Sequence, residues 1–235
     1  MFTLSFDGDL ARLLLDRPEV RNAIPLHGWD MLGERVAEVA RSDARLLIVQ
    51  GAGSAFCAGA DLSEFGRLQA DAAERTRFRT AMRNAYEALA SLPIPVIARV
   101  HGACFGAGVA LALACDIIEV APAARFAITP ARIGISYPQG DVHRLVQRIG
   151  PGQAARMLFS AATIDAEEAL RIGLADVLED PSTFILANDP ASLRALKRSL
   201  RLAGAGHAGD EEQDRLFDSL FGSPALAERL GARKR

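Results

Sequence analysis

A chain of 235 residues, half of them apolar, is long enough to bury one sizeable core and fits a single domain or a domain with an appendage. Its 27 Lys and Arg against 29 Asp and Glu leave a formal charge of -2, which provides no broad basic field for a polyanion and argues against nucleic acid as a partner. Cys57, Cys104 and Cys115 form neither a CxxC nor a His-rich pattern, so neither a disulfide framework nor a metal site is indicated; buried thiols in a reducing cytoplasm are expected.

In chain order, FTLSF and ARLLL flank Asp7-Gly8-Asp9 and predict an opening hairpin. Trp29, Leu32, Val36 and Val39 then recur at spacings of three and four, an amphipathic helix after Pro25. The run RLLIVQ (45–50) reads as a strand buried on both faces, and a polar helix over about 72–91 ends before Pro93 and Pro95. PVIARV (95–100) is the next buried strand, followed by a helix from Gly106, the short strands DIIEVA and RFAIT, and a loop rich in Pro, Gly, Ser and Tyr over 130–140. These are repeated β-β-α units of an α/β fold. From about 142 onward only helical patterns are expected, with Asp189-Pro190 as N-cap and first position of ASLRALKRSLRL. We divide the chain into a core over 1–185 and a helical appendage over 186–235. The longest uncharged apolar run, 102–115, falls short of the roughly 20 residues that span a bilayer. MFTLSFDGDL lacks a basic segment leading into an apolar one, so a cytoplasmic protein without a membrane partner is expected.

Two glycine turns follow buried strands: GAGSAFCAGADLSEF (51–65) and ACFGAGVALALACD (103–116). The second offers half of a dinucleotide fingerprint, but Leu111 stands where the third glycine belongs and Arg125-Phe126 lies near where the acid should be. Glycines serving only tight strand-to-helix packing would also account for it. Two such loops can instead aim two main-chain N–H groups at one point, the requirement of an oxyanion hole, with the helix after Gly106 adding its positive end.

Taken together and in order, RPEVRNAI (17–24), AFCAGADLSEF (55–65), PVIARVHGACFGAGVALALACDIIEVA (95–121), ARFAITPARIG (124–134) and EEALRIGLAD (167–176) resemble the crotonase, or enoyl-CoA hydratase/isomerase, superfamily. The resemblance implies a crotonase fold with a C-terminal helical trimerisation region, and an acyl-CoA substrate whose thioester oxygen is held by two main-chain amides. Position by position these fall on Ala60 and Ala107. Coenzyme A then arrives with the substrate, and no separate cofactor is implied. On the CoA side the matching positions are Arg21, Ala23, Phe56, Ala58, Asp61 and Leu62, Arg21 toward the CoA phosphates or as a solvated surface arginine. On the acyl side they are Gly106, Ala110, Pro130 and Gly134. Lys234 and Arg235 end a helix that in relatives can reach CoA, or form a frayed tail.

The family's hydratases carry glutamates where this chain has Ala110 and Pro130, neither of which transfers a proton. Thr129-Pro130, Gly134 and Tyr137 are similar in spacing to a segment of methylmalonyl-CoA decarboxylase, a relative without those glutamates. A decarboxylase-like or other enolate lyase or isomerase reaction is therefore expected ahead of hydration by other residues, with a non-catalytic acyl-CoA-binding protein as a further reading. Tyr137 is the catalytic candidate, to orient a carboxylate or protonate the enolate, or else packs with its hydroxyl bonded. Asp141 and His143 follow Tyr137 closely as further titratable candidates, with Asp141 expected instead to cap the helix VHRL; His101 is expected to be structural and Asp61 to cap the helix after it. EDPSTFILA is shorter than the corresponding segment of relatives, and a homotrimer or dimer of trimers is expected.

Overall fold

A computed structural model describes residues 1–232, so Lys234 and Arg235 lie outside the described residues. The chain opens with the hairpin β1 (Phe2–Asp7) and β2 (Leu10–Leu15), closed at Gly8 with φ +56°. Helix α1 (Gly28–Ala40) buries Trp29, Leu32, Val36 and Val39, the stripe that the three-and-four spacing marks out. There follow β3 (Leu46–Gly51), β4 (Ala55–Cys57), α2 (Phe65–Ala70) and α3 (Ala72–Ser91), the last capped by the Asp71 carboxylate on the amides of Ala73 and Glu74.

Next come β5 (Val96–Val100), β6 (Ala103–Phe105), α4 (Ala107–Leu113), β7 (Ile117–Val120), β8 (Arg125–Ala127) and α5 (Gln139–Ser160). The opening hairpin and the first strand of each later β-β-α unit form one sheet, in the order β1-β2-β3-β5-β7, and the second strands form another, completed by β9 (Ile164–Asp165), in the order β4-β6-β8-β9. Each unit therefore moves one strand along both sheets, and the loops that leave equivalent strands emerge side by side. Pairing between units is parallel throughout, β3 to β5 to β7 and β4 to β6 to β8. That arrangement is why RLLIVQ and PVIARV are apolar on both faces: helices or the second sheet cover each side.

The last third is not purely helical. Ile164–Asp165 forms a two-residue strand, β9, antiparallel to β8. VHRLVQRIG and PGQAARMLFS lie within the single tract α5, broken at Gly150, whose φ of 74° and ψ of 163° precede Pro151. After it come α6 (Ala166–Arg171), α7 (Ser182–Leu186), α8 (Pro190–Gly204), α9 (Glu211–Phe221) and α10 (Pro224–Ala232). Asp189 caps α8 through the amide of Ser192, with Pro190 in the first turn as expected. Helix α8 is fastened to the sheets by Lys197, only 4% exposed, whose Nζ donates to the Ile94 carbonyl at 2.8 Å and to Asp116 Oδ2 at 2.7 Å. Its other face, with that of α9, leaves Leu196, Leu200, Phe217 and Phe221 exposed. Among the described residues no helix is long and apolar enough to cross a membrane.

Candidate active site

Cys57 of β4 and Cys104 of β6 are register partners in adjacent parallel strands. Three residues beyond each stand Ala60 and Ala107, so the two glycine turns leave the sheet side by side. They approach so closely that a side chain fits neither contact: a Cβ on Gly108 would come 2.4 Å from the Cys57 carbonyl oxygen, and one on Gly59 would lie 2.8 Å from the Phe105 carbonyl oxygen and 3.2 Å from the Ala107 nitrogen. Gly59 and Gly106 also hold φ values of +103° and +50°.

Both alanine amides are free to donate. The neighbours of Ala60 are spent on Ile24, whose N–H donates to the Gly59 carbonyl at 2.8 Å and whose carbonyl accepts from Asp61 at 2.9 Å, so in this parallel bridge the Ala60 N–H faces the other way. Ala107 is the first residue of α4, where an N–H has no partner inside the helix. Among the described residues neither N–H has an acceptor, and both alanines border one cavity of about 240 Å³.

The turn is held from behind by two tyrosines. Tyr137 Oη donates to the Gly106 carbonyl at 2.9 Å and Tyr86 Oη to the Ala107 carbonyl at 3.0 Å. The Gly106 carbonyl and the Ala107 N–H belong to one planar peptide and point in opposite directions, so holding the first aims the second. Burial pushes the acidity constants of both tyrosines well above the ordinary phenol value, with the nearby Asp141 charge adding to it, so both hydroxyls keep their protons.

Comparison with known proteins agrees with this architecture. The family model described as enoyl-CoA hydratase/isomerase matches residues 6–199. The chain belongs to the enoyl-CoA hydratase/isomerase family. It is 33% identical over 225 residues to a Mycobacterium tuberculosis protein named "Probable enoyl-CoA hydratase echA6", covering 93% of this chain and 90% of that one. It is 31% identical to the "Short-chain-enoyl-CoA hydratase" of Clostridium acetobutylicum, covering 84% and 79%. The crystal structure of a Hyphomonas neptunium protein carrying the same family name superposes with a TM-score of 0.92 at 32% identity, covering 100% of this chain and 95% of that one. The fold is thus the crotonase fold that the family shares.

In this enoyl-CoA hydratase/isomerase family member the positions matched to CoA gather along one rim. Arg21 is exposed, with φ 52°, and its carbonyl accepts from Ala58 N at 2.9 Å, which sets it beside the first turn. Ala23 accepts from Arg17 Nη1 at 2.8 Å, and the same nitrogen reaches Asp61 Oδ2 at 3.0 Å. Asp61 also caps the short 3-10 helix Leu62–Glu64 through Ser63, as expected; bonds from the Ser63 hydroxyl and from Arg17 hold its carboxyl below the ordinary aspartate value. Ala58 borders the cavity, Leu62 stands at its mouth with 60% exposure, and Phe56 is wholly buried, presenting only backbone. Arg17 and Asn22, also within RPEVRNAI, carry no local sequence signal of their role here. Asn22, buried with φ 58°, donates to the carbonyls of Ala52 and Ala55 at 2.9 and 2.7 Å and fixes this rim.

On the acyl side Gly106, Pro130 and Tyr137 border the cavity with an apolar wall of Phe65, Phe78, Met82, Ile133 and Ile135. Ala110 is fully buried and does not border it, and Gly134, at φ 76°, ends the 3-10 helix Pro130–Ile133 away from the wall. His101 is hydrogen-bonded to the Gly53 carbonyl at 3.0 Å, outside the cavity, in keeping with a structural role. His143 faces a different surface depression.

Asp141 overturns the capping expectation. Helix α5 starts earlier, at Gln139, with Pro138 in the cap position and no side-chain cap, which leaves Asp141 in the first turn. Its side chain turns inward, 4% exposed, and borders the cavity. Burial raises its pKa from 3.8 to about 6, with Arg144 pulling down and Glu87 pushing up.

Proposed function

We propose that the amides of Ala60 and Ala107 receive the thioester oxygen of an acyl-CoA and stabilise the enolate formed from it. The observation that carries this reading is the pair of acceptor-free N–H groups, from the turns that leave two neighbouring parallel strands, on the wall of one largely apolar cavity. Arg21, Ala23, Phe56, Ala58, Asp61 and Leu62 then line the path of CoA, with Arg21 toward its phosphates. A cavity of about 240 Å³ is small beside common ligand sites of about 300–1,000 Å³, which suits a short acyl group.

Within that reading the reaction is a decarboxylase-like or other enolate lyase or isomerase step. Ala110 and Pro130 offer no acid or base to place and split water, whereas loss of CO2 from a malonyl-type thioester yields the enolate directly. Hydration is the second reading, favoured by the names of the mycobacterial and clostridial relatives. Incubating a panel of acyl-CoAs with the protein and weighing the products separates them: CO2 loss from methylmalonyl- or malonyl-CoA supports the first, water addition to crotonyl-CoA the second. Tight binding with no product would mark an acyl-CoA-binding protein. The exposed apolar faces of α8 and α9 support assembly as a homotrimer or a dimer of trimers, which light scattering on the eluted protein tests.

A further inference from the structure

We infer that the Asp141 carboxylate is the catalytic residue that moves protons on and off the carbon chain of the bound thioester. The inference rests on the acyl-CoA reading above and adds the acid-base group that reading lacks. Among the described residues bordering the cavity, Asp141 is the one carboxylic acid and Arg132 the one cation, which keeps its proton and donates to the Ala161 carbonyl. The other proton carriers near the turn are committed: Tyr137 donates to Gly106 and Tyr86 to Ala107.

Asp141 is committed to nothing comparable. Among the described residues no donor hydrogen-bonds its oxygens, and the nearest cation, Arg144 Nη1, stands 3.5 Å away while its Nη2 pairs with Glu87 at 2.6 Å. A carboxyl so buried costs stability, and such local costs are found where a function retains them. The groups facing it are Arg144 on its own helix, Tyr137 just before that helix, and Glu87 and Tyr86 on α3.

The step balances with what the cavity holds. The carboxylate takes a proton from the carbon next to the thioester carbonyl; the C–H bond breaks, an O–H bond forms on Asp141, and the electron pair moves to the oxygen at the Ala60 and Ala107 amides. Returning the proton to the same carbon exchanges it with solvent, returning it to the far end of a conjugated enolate shifts a double bond, and the neutral acid also protonates an enolate left by bond cleavage. One group suffices in each case, so substrates are those whose reaction needs a single acid-base residue.

Isotope exchange reads this step without knowledge of the natural acyl group. Propionyl-, butyryl- and hexanoyl-CoA are incubated in D2O, and deuterium uptake is followed by mass spectrometry alongside binding by calorimetry. The wild type is expected to exchange, Asp141→Asn to lose at least about 100-fold with binding retained, Asp141→Glu to recover part of the rate, and the wild-type rate to climb with pH through a midpoint near 6. Equal exchange by Asp141→Asn, or binding by the wild type without exchange, overturns the role of Asp141 and leaves acyl-CoA recognition standing. No binding of any of the three overturns the acyl-CoA reading and the inference with it. Should Asp141→Asn fail to fold, the wild-type profile decides, and a rate unchanged between pH 5 and 8 overturns the inference.

Discussion

The Tyr137 hydroxyl and the Ala107 amide act on opposite ends of one peptide group: the hydroxyl binds the Gly106 carbonyl at 2.9 Å, and that carbonyl's partner across the planar bond is the Ala107 N–H. On the acyl-CoA reading proposed above, Tyr137 positions the Ala107 donor and keeps its own proton. Tyr137→Phe removes one neutral hydrogen bond, worth about 1 kcal/mol, so turnover should fall about fivefold to tenfold with little change in KM. Steady-state kinetics on whichever acyl-CoA the panel identifies checks this. A loss of about a thousandfold or more would instead make the hydroxyl a proton donor.

The close approach of the two turns should make Gly108 intolerant. A methyl group there meets the Cys57 carbonyl oxygen at 2.4 Å, a backbone atom that no rotamer change can move. Gly108→Ala is expected to lower stability by about 1–3 kcal/mol and, by displacing one of two donors, to reduce turnover by about 100-fold. Gly33→Ala is the matched control: nothing lies within 4 Å of the added carbon and the site is inside α1, so stability should rise by up to about 1 kcal/mol. Thermal melts and turnover of the two variants side by side test the contrast.

Much of this arrangement was legible because it is local. Apolar runs ending in glycine turns mark β3 and β5 and the loops that follow the short strands after them, and the three-and-four stripe of α1 is unambiguous. The acid before a helix was ambiguous in the same local grammar. Asp71 and Asp189 do cap, whereas Asp141 sits three residues past Pro138 and turns inward. The difference depends on where α5 begins and on its packing against the cavity, neither of which a run of residues states. Strand β9 leaves no sequence signature because two residues set no period, and its pairing with β8 is long-range. Asn22 and Arg17 were hidden for a related reason: their partners, Ala52, Ala55 and Asp61, lie 30 or more residues away in sequence.

The three thiols should be inert while the fold persists. Cys57, Cys104 and Cys115 are free and buried, and burial pushes the Cys57 pKa up to about 12 and those of the other two well above the ordinary value. The thiolate is the reactive form, so almost none is present at pH 8. Ellman's reagent is expected to leave the native protein unlabelled over an hour and to titrate three thiols once guanidinium is added. Fast labelling of Cys57 or Cys104 in the native state, located by peptide mapping, would show that β4 and β6 open readily.

Asp141 should also show its cost in stability. A carboxyl whose pKa rises from 3.8 unfolded to about 6 folded holds more proton in the native state between those values, so its contribution to stability is present below pH 3.8 and is lost as pH rises through about 6. At about 1.4 kcal/mol per pKa unit, the ionised side chain costs about 3 kcal/mol at pH 7 and above. Asp141→Asn cannot ionise, so it should melt several degrees higher than the wild type at pH 7.5. The gap should close on acidification to pH 4, where the wild-type carboxyl is protonated in the folded state. Calorimetric melts of both proteins across pH 4 to 8 measure it. A gap independent of pH would mean that the Asp141 charge is well solvated in the folded protein, and a destabilised Asp141→Asn at pH 7.5 would mean that its 3.5 Å ion pair with Arg144 holds the fold together; either result contradicts a buried acid whose burial outweighs that pair.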